Sequence, residues 1–420
     1  MEPARSTLQI RRSALSAVVL GTMSMVFLTG CALTETETET VTSDVSDDAT
    51  YGNGQRKLAE GPDGSMYFIY AAPMDGTNAV VVSRSEDAGS TWVPDAVLSR
   101  SGIPARLGSL AFDAAGTLHA TWVDYETVGH VWYASRSDDT WTESVKISPG
   151  PFYAGFPVVA AGRDSVHVLW YGAPPDDTYR HGSRYEIRDT SLTPQGWTEP
   201  VLVSTDSSDS LNPSAVADRQ GNVHSAWYQL DDSIYRANYA VWDADRWAEP
   251  EAVSPSSSGA ARVSIDVGPN GVIHLIWLQT QDGVAQVAYS RLAGGSWSDT
   301  EFLTQGPAAD PVLATTTQGD VIAAWSADNE IVVRRWEAGR WDSPQAVGLG
   351  ALPTLAAGER VFIGWTRSVD GGYELAIADL SETGGAFSLP LAISAVVLAV
   401  FLVGVFVALM TRRRSRPMPE

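Results

Sequence analysis

Four of the six histidines, His119, His167, His224 and His274, occupy one position of a recurring phrase. Imidazoles bind metals or move protons, but only where they converge; spaced one per repeat they are expected to pack or hydrogen-bond on successive strands. No metal site is expected. No cysteine pair, Gly-rich phosphate loop or Ser-His-Asp order is present, so no cofactor is expected either. Residues 113–116 and 218–221, each an Asp three places before a Gly, look like fragments of calcium loops but read as hairpin turns. The stretch best equipped for recognition is the longest insertion, residues 173–185. There Tyr179, Arg180 and Arg184 offer a flat ring and forked donors, which makes them the candidate binding-loop residues for a glycan or a protein surface.

The elements that would hold such a loop are legible from two columns of tryptophan. The first is Trp122, Trp170, Trp227, Trp277, Trp325 and Trp365, with Tyr70 leading. A Gly stands six places earlier in most copies: Gly64, Gly116, Gly221, Gly271 and Gly319. The second is Trp92, Trp141, Trp197, Trp247, Trp297 and Trp341, followed seven residues on by Ser99, Ser148, Ser204, Ser254, Thr304 and Gly348. The mean period, about 49 residues, gives seven repeats and lies in the range of propellers and solenoids. In the second copy the pattern predicts strands at 109–113, 117–124, 130–136 and 143–148, with turns too short for crossover helices. Apolar residues fall on both faces of such a sheet, so each copy needs cover on both sides, and a closed ring supplies it without capping units. The fold class expected is therefore all-β: a seven-bladed β-propeller of four-stranded antiparallel blades over residues 51–388. Copy seven runs out of chain before its fourth strand, so a strand from about residues 40–50 is expected to complete it.

The two ends carry addresses. Residues 1–31 read as a signal peptide, with Arg11 and Arg12 before a short apolar stretch. Leu28 to Cys31 resembles a prokaryotic lipobox, which implies lipidation of Cys31, the only cysteine in the chain. Residues 32–50 read as an acidic disordered linker with room for one strand. Residues 389–410 are long and apolar enough to cross a bilayer as a helix, and the basic tail 411–420 should stay cytoplasmic, leaving the propeller outside the cell membrane. The chain carries a net charge of −22. Setting aside the arginines and glutamates of the two ends leaves 21 basic and 48 acidic residues over 32–387, a surface that repels nucleic acid.

Ser85, Asp87, Gly89, Thr91 and Trp92 match at every defined position the Asp box of sialidases and related BNR-repeat propellers. The resemblance covers the rhythm of all seven repeats and one copy in full. It implies a sialidase-like propeller and a structural role for those five residues. Carried onto this chain, the family's catalytic set would draw on Arg56 and, further along, Arg262 and Arg360 for the carboxylate-binding arginines. Asp75, ten residues before the box, would be the acid and Tyr373, beside Glu374, the nucleophile. The residues before Asp75 lack the expected arginine, and Glu374 adjoins Tyr373 instead of facing it from another blade. A retaining mechanism needs the arginine clamp, the activated Tyr and the acid together. The expected function is therefore a non-catalytic binding or scaffold module for a glycan or surface protein. The alternative is an exo-sialidase-like glycoside hydrolase.

Overall fold

The computed structural model describes residues 36–381 except 151–152, 164, 174–183, 206–207 and 244. Seven antiparallel sheets follow one another around a ring. Blade one is built from Leu58–Glu60, Met66–Met74, Thr77–Ser85 and Val93–Val97. Blade two has Ala105–Phe112, Leu118–Tyr125 and Gly129–Ser137, with an outer strand split into Thr140–Trp141 and Val145–Lys146. Blades three to six repeat this plan from Ala154, Ser210, Ala260 and Ala309. Blade seven comprises Ala351–Ala357, Val361–Val369 and Gly372–Asp379 from the end of the chain and Thr38–Ser43 from its beginning. The lower face bears the turns between first and second strands. The upper face bears the turns between second and third strands and the connections between blades.

The sequence columns have separate mechanical tasks. Trp122, Trp170, Trp227, Trp277, Trp325 and Trp365 are all buried between blades. Several settle their indole N–H inside the blade, as Trp122 does on Asp124 at 2.8 Å and Trp277 on Gln279 at 2.7 Å. The hydroxyl seven residues after each second-column Trp accepts a third-strand amide: Val80 to Ser99, Val131 to Ser148, Ile187 to Ser204, Ala237 to Ser254 and Val287 to Thr304, all at 2.9–3.0 Å. That bond locks the outer strand where backbone pairing has lapsed, which is why the column tolerates only Ser or Thr until blade six. Glycines 64, 116, 221, 271 and 319 sit at positive φ in the lower turns, a conformation that glycine alone adopts without a Cβ penalty.

The histidines stitch neighbouring blades. His119, His224 and His274 bond through Nδ1 to the hydroxyls of Tyr133, Tyr239 and Tyr289 at 2.7–2.8 Å. Those tyrosines then meet Trp197, Trp297 and Trp341 of the next blade edge-on. Burial lowers the basicity of all three imidazoles, that of His274 to about 4, so they are neutral partners in these bonds. Blade three departs from the pattern: Asp189 stands where the others have Tyr. Its Oδ2 holds both His167 Nδ1 at 2.8 Å and Trp247 Nε1 at 3.0 Å. Asp189→Ala will strand two buried donors and cost about 2–4 kcal/mol in urea unfolding. Asp189→Tyr, which restores the pattern of the sister blades, should recover most of that loss. Equal losses for both variants would show that the pairing is incidental.

The clasp lies earlier than the sequence suggested. Thr38–Ser43 runs antiparallel to Gly372–Asp379, from Thr38 opposite Ala378 to Ser43 opposite Glu374, with a bulge between Thr40 and Thr42. Val41, Val45 and Ala49 are buried against Leu375, Ile377, Met66 and Phe68. The reading of 32–50 as a disordered linker is thus corrected from residue 36 onward: Val41 in the strand and Val45 and Ala49 after it, each four residues on, give this acidic stretch something to bury. The inner strands also begin about four residues before the expected position, at Ala105 in blade two. There Leu107, at φ 62°, forms a bulge that breaks the two-residue alternation. The signal peptide with Cys31, the helix 389–410, the tail 411–420 and the loop residues Tyr179 and Arg180 lie outside the described residues.

Candidate functional site at the channel mouth

Each inner strand of blades two to seven carries the same bulge near its upper end. A non-glycine residue adopts positive φ there: Leu107, Phe156, Asn212, Arg262, Asp310 and Leu352, at 48–62°. Such a conformation is uncommon outside glycine. Repeated around the axis, it turns six side chains and their flanking carbonyls toward the upper mouth of the channel.

The chain itself fills this mouth. Between the clasp and blade one, Thr50 to Lys57 crosses to the axis as a strap. Thr50 Oγ1 donates to Leu352 O at 2.8 Å in blade seven. Tyr51 meets the Phe156 ring of blade three edge-on at 5.7 Å. Asn53 Nδ2 lies within 2.9–3.2 Å of Arg262 O and Val263 O of blade five and Pro311 O of blade six. Lys57 Nζ donates to Gly108 O of blade two at 2.8 Å, and to Gln55 Oε1 within the strap at 3.2 Å. Gly54 passes so close to blade four that a Cβ there would lie 2.7 Å from Pro213 O. A segment touching every blade from two to seven can sit only on the axis.

Around the strap, the upper face gathers aromatic rings. From the rim of blade three inward run Tyr185, Tyr171, Phe156 and Tyr51, with centroids 5.2, 5.5 and 5.7 Å apart. Tyr153 packs against both Tyr171 and Tyr185. Tyr125 lies under the Arg106 guanidinium at 5.1 Å, and Tyr228 meets Tyr235 in blade four at 5.5 Å. Asp209 joins the two blades, accepting from Tyr185 N at 2.8 Å and from Tyr235 Oη. Burial pushes the phenols of Tyr125, Tyr153 and Tyr171 upward and that of Tyr228 to about 12, so all remain neutral hydroxyls at physiological pH. Arg262 stacks on Tyr51 at 4.8 Å, with Nε 3.9 Å from Asp310 Oδ1. Burial raises the Asp310 carboxyl while Arg262 opposes the shift. Tyr171 is buried in the core of blades three and four, and Tyr153, Phe156 and Tyr185 are half-buried against it, so the upper face offers parts of these rings and neutral hydroxyls beside the Arg262–Asp310 pair. These suit a polyhydroxylated ligand.

The sequence-derived candidates are dispersed. Arg56 points down the channel and pairs with Asp266 Oδ1 at 2.8 Å, also donating to Ile265 O at 3.1 Å. It closes the top of a cavity of about 770 Å³ that is lined by Leu58, Glu60, Leu110, Phe112 and Glu359 and reaches the lower turns. Asp75 occupies an upper turn of blade one at φ 52° and accepts from Ser101 Oγ at 3.3 Å. Tyr373 pairs with Ser368 in the strands just below the corresponding turn of blade seven and is exposed. Its neighbour Glu374 pairs with Arg367. Arg262 is under Tyr51, as described. Arg360 sits in a lower turn and pairs with Asp379. The nine-residue strand Val361–Val369 separates it from the turn of Tyr373 by about 30 Å. Arg184, the described member of the candidate loop, is exposed and pairs with Glu186 at 3.1 Å.

The Asp-box residues form a self-contained turn on the lower face. Asp87 accepts from Thr91 N, Thr91 Oγ1 and Ser85 Oγ at 2.7–2.9 Å; Gly89 has φ 87°, and Trp92 Nε1 donates to Gly89 O. Asp113 and Asp218 likewise accept two amides of their own turns each. Among the described residues no group of three or more His, Cys, Asp or Glu could hold a metal. What sequence reasoning missed was the tyrosine belt. Its signal was present: Tyr follows the column Trp only at Tyr171 and Tyr228, and Tyr125, Tyr153, Tyr185 and Tyr235 all border upper turns or connections of blades two to four.

No protein-family model matches the chain, and no curated protein matches it. Among solved structures it is similar to a PL25 ulvan lyase bound to a GlcA(1-4)Rha3S repeat, at 11% identity over 80% of this chain and 94% of that one, with a TM-score of 0.55. It is similar also to an α-L-arabinanase of Penicillium chrysogenum complexed with arabinobiose, at 13% identity over 82% and 99% of the two chains, TM-score 0.50. A NanB sialidase of Streptococcus pneumoniae aligns over 83% and 71% at 12% identity, with a TM-score of 0.46, too slight a likeness to argue from. At such identities the fold is what is shared: a propeller of the kind found among glycan-active enzymes.

Proposed function

We propose that this chain is a membrane-anchored module of the cell surface that binds a glycan, without cleaving it, on the upper face of its propeller. The observation that carries the reading is the aromatic row from Tyr185 at the rim through Tyr171 to Phe156, capped at the axis by Tyr51 of the strap and edged by the Arg106–Asp48 and Arg262–Asp310 pairs. Tyrosine presents a flat apolar face and a hydroxyl at low entropic cost, which suits the faces and edges of sugar rings. Of the candidate loop residues, Arg184 adjoins Tyr185 in the chain and is exposed, which puts a forked donor next to the row. The ligands bound in the two similar solved structures are saccharides, which supports the same ligand class.

Calorimetric titration with a panel of neutral and uronate-containing oligosaccharides is the test. We expect Tyr185→Ala and Tyr228→Ala to weaken the best binder at least tenfold, and Val145→Ala, on the outer rim, to leave it unchanged. A panel without any binder, or variants that bind as the parent does, would sink the reading. The second reading, an exo-sialidase, has one observation in its favour: Asp75, in an upper turn, and Tyr373, at the upper end of a strand, lie on the same face of adjacent blades. Arg56 engaged with Asp266 and Arg360 at the opposite face speak for binding instead. Release of 4-methylumbelliferone from its sialic acid conjugate, lost on Asp75→Asn, would establish the second reading.

A further inference from the structure

We infer that the strap Thr50–Lys57 is an autoinhibitory contact. It opens while the ring stays closed, and when shut it withholds the channel mouth from the end of a bound oligosaccharide. The second half of this inference rests on the glycan reading; the first does not.

The strap behaves chemically as an internal ligand. Every inner strand presents its free edge to the axis, so the mouth is ringed by carbonyl oxygens that need donors. Asn53 meets three of them, at Arg262, Val263 and Pro311, with one side-chain amide. Two N–H groups cannot satisfy three acceptors fully, so the ring remains short of donors even when occupied. Tyr51 lays a flat ring between Phe156 and the Arg262 guanidinium. A ring face beside convergent N–H donors is also what a pyranose with its hydroxyls would bring to this place.

The strap is held differently from the clasp. Thr38–Ser43 is tied by a β-ladder and buried valines. The strap has backbone bonds to the blades only at its inner end, from Leu110 N to Arg56 O and Ile69 N to Lys57 O; its middle, Tyr51–Gln55, is held to them by side-chain contacts and contains Gly52 and Gly54, which stiffen nothing. An orphaned polar atom lies in it, Gln55 Nε2, and a second, Asp48 Oδ1, lies two residues before it; both are buried without a partner. Unmet polar groups of this sort lower the free energy needed for local opening. At the strap's outer end Ser46 N bonds Ala71 O at 3.2 Å and Thr50 Oγ1 lies 2.7 Å from Thr366 Oγ1. Those anchors isolate the clasp from strap motion.

Native-state hydrogen exchange on the full chain, with two variants, decides the matter. Asn53→Ala removes the central anchor. Gly54→Ala drives a methyl against the Pro213 carbonyl from the strap side. We expect strap amides to exchange faster than those of Thr38–Ser43 in the parent, and at least tenfold faster again in both variants, with the clasp amides unmoved. Strap and clasp amides exchanging in step would overturn independent opening. The same variants should bind the best oligosaccharide of the panel at least tenfold more tightly. Unchanged affinity with a demonstrably open strap would overturn the inhibitory role and leave the aromatic row as the glycan site. Binding by neither parent nor variants would defeat the glycan reading and the inhibitory role together, while the exchange data would still decide independent opening.

Discussion

Excising residues 36–49 will lower the melting temperature by about 10 °C or more, and much of the protein will be lost to aggregation. Blade seven would forfeit its outer strand, leaving Leu375, Ala376 and Ile377 of its third strand on an open edge. Burial of Val41 and Val45 contributes about 1.5–3 kcal/mol each on the area scale, before the ladder and Ala49 are counted. A total near 5 kcal/mol, at roughly 2 °C per kcal/mol for a chain of this size, gives the stated shift. The bared strand also becomes a template for pairing with other chains. Val41→Asp is the milder version, placing a charge where the side chain is 7% exposed, and should reproduce about half the shift. Differential scanning calorimetry checks both. A melting temperature within 2 °C of the parent for the excision would mean that the ring closes without its clasp.

The clasp and the tyrosine belt mark the boundary of what the sequence made legible. Blade number and strand order were readable because most copies bury the same indole, cap the same third-strand amide and reverse at the same glycine. A physical need repeated from blade to blade writes one column per need, here six indoles, five hydroxyls and five glycines. Ser204 and Trp227 are examples: neither could be replaced without loosening its own blade. The strap occurs once, so no column announces it, and its residues make sense only through contacts 50 to 316 places away along the chain. The inner-strand bulges were hidden for another reason. Leu107, Phe156, Asn212, Arg262, Asp310 and Leu352 share a backbone conformation but no side-chain type, and a pattern of residue types cannot register a pattern of dihedral angles. The family-derived candidates were placed by spacing from the Asp box, for Asp75, and by blade order, for Arg262 and Arg360. That sufficed to put Asp75 and Tyr373 on one face but not to see that Arg360 belongs to a turn on the other.

Folding stability should rise with pH between about 7 and 10 by an amount that Lys57→Met abolishes. Lys57 is fully buried, and burial pushes its ammonium down from the ordinary 10.5 to about 7, with Asp48 pulling weakly the other way; Asp48 itself is paired with Arg106. Across that interval the unfolded chain holds a proton that the folded chain has released. Stability then increases with pH at up to about 1.4 kcal/mol per unit. Below about 7 the lysine is charged in both states, its slope vanishes, and the full cost of burying the cation remains. The difference between parent and Lys57→Met in urea unfolding should therefore change by about 3–5 kcal/mol from pH 6.5 to 10. Parallel profiles would show that the carbonyls of Gly108 and Gly52 and Gln55 Oε1 keep the ammonium charged throughout. The same geometry shows what a lysine does at so costly a position. Its long stem carries an amine that bridges blade two to the strap from beneath, and when the head loses its proton it keeps two donors for three acceptors. Gly52 O, the most distant of the three at 3.4 Å, is the contact that goes first. Alkaline pH thus removes the desolvation cost of the buried charge while weakening one of the bonds that keep the strap down.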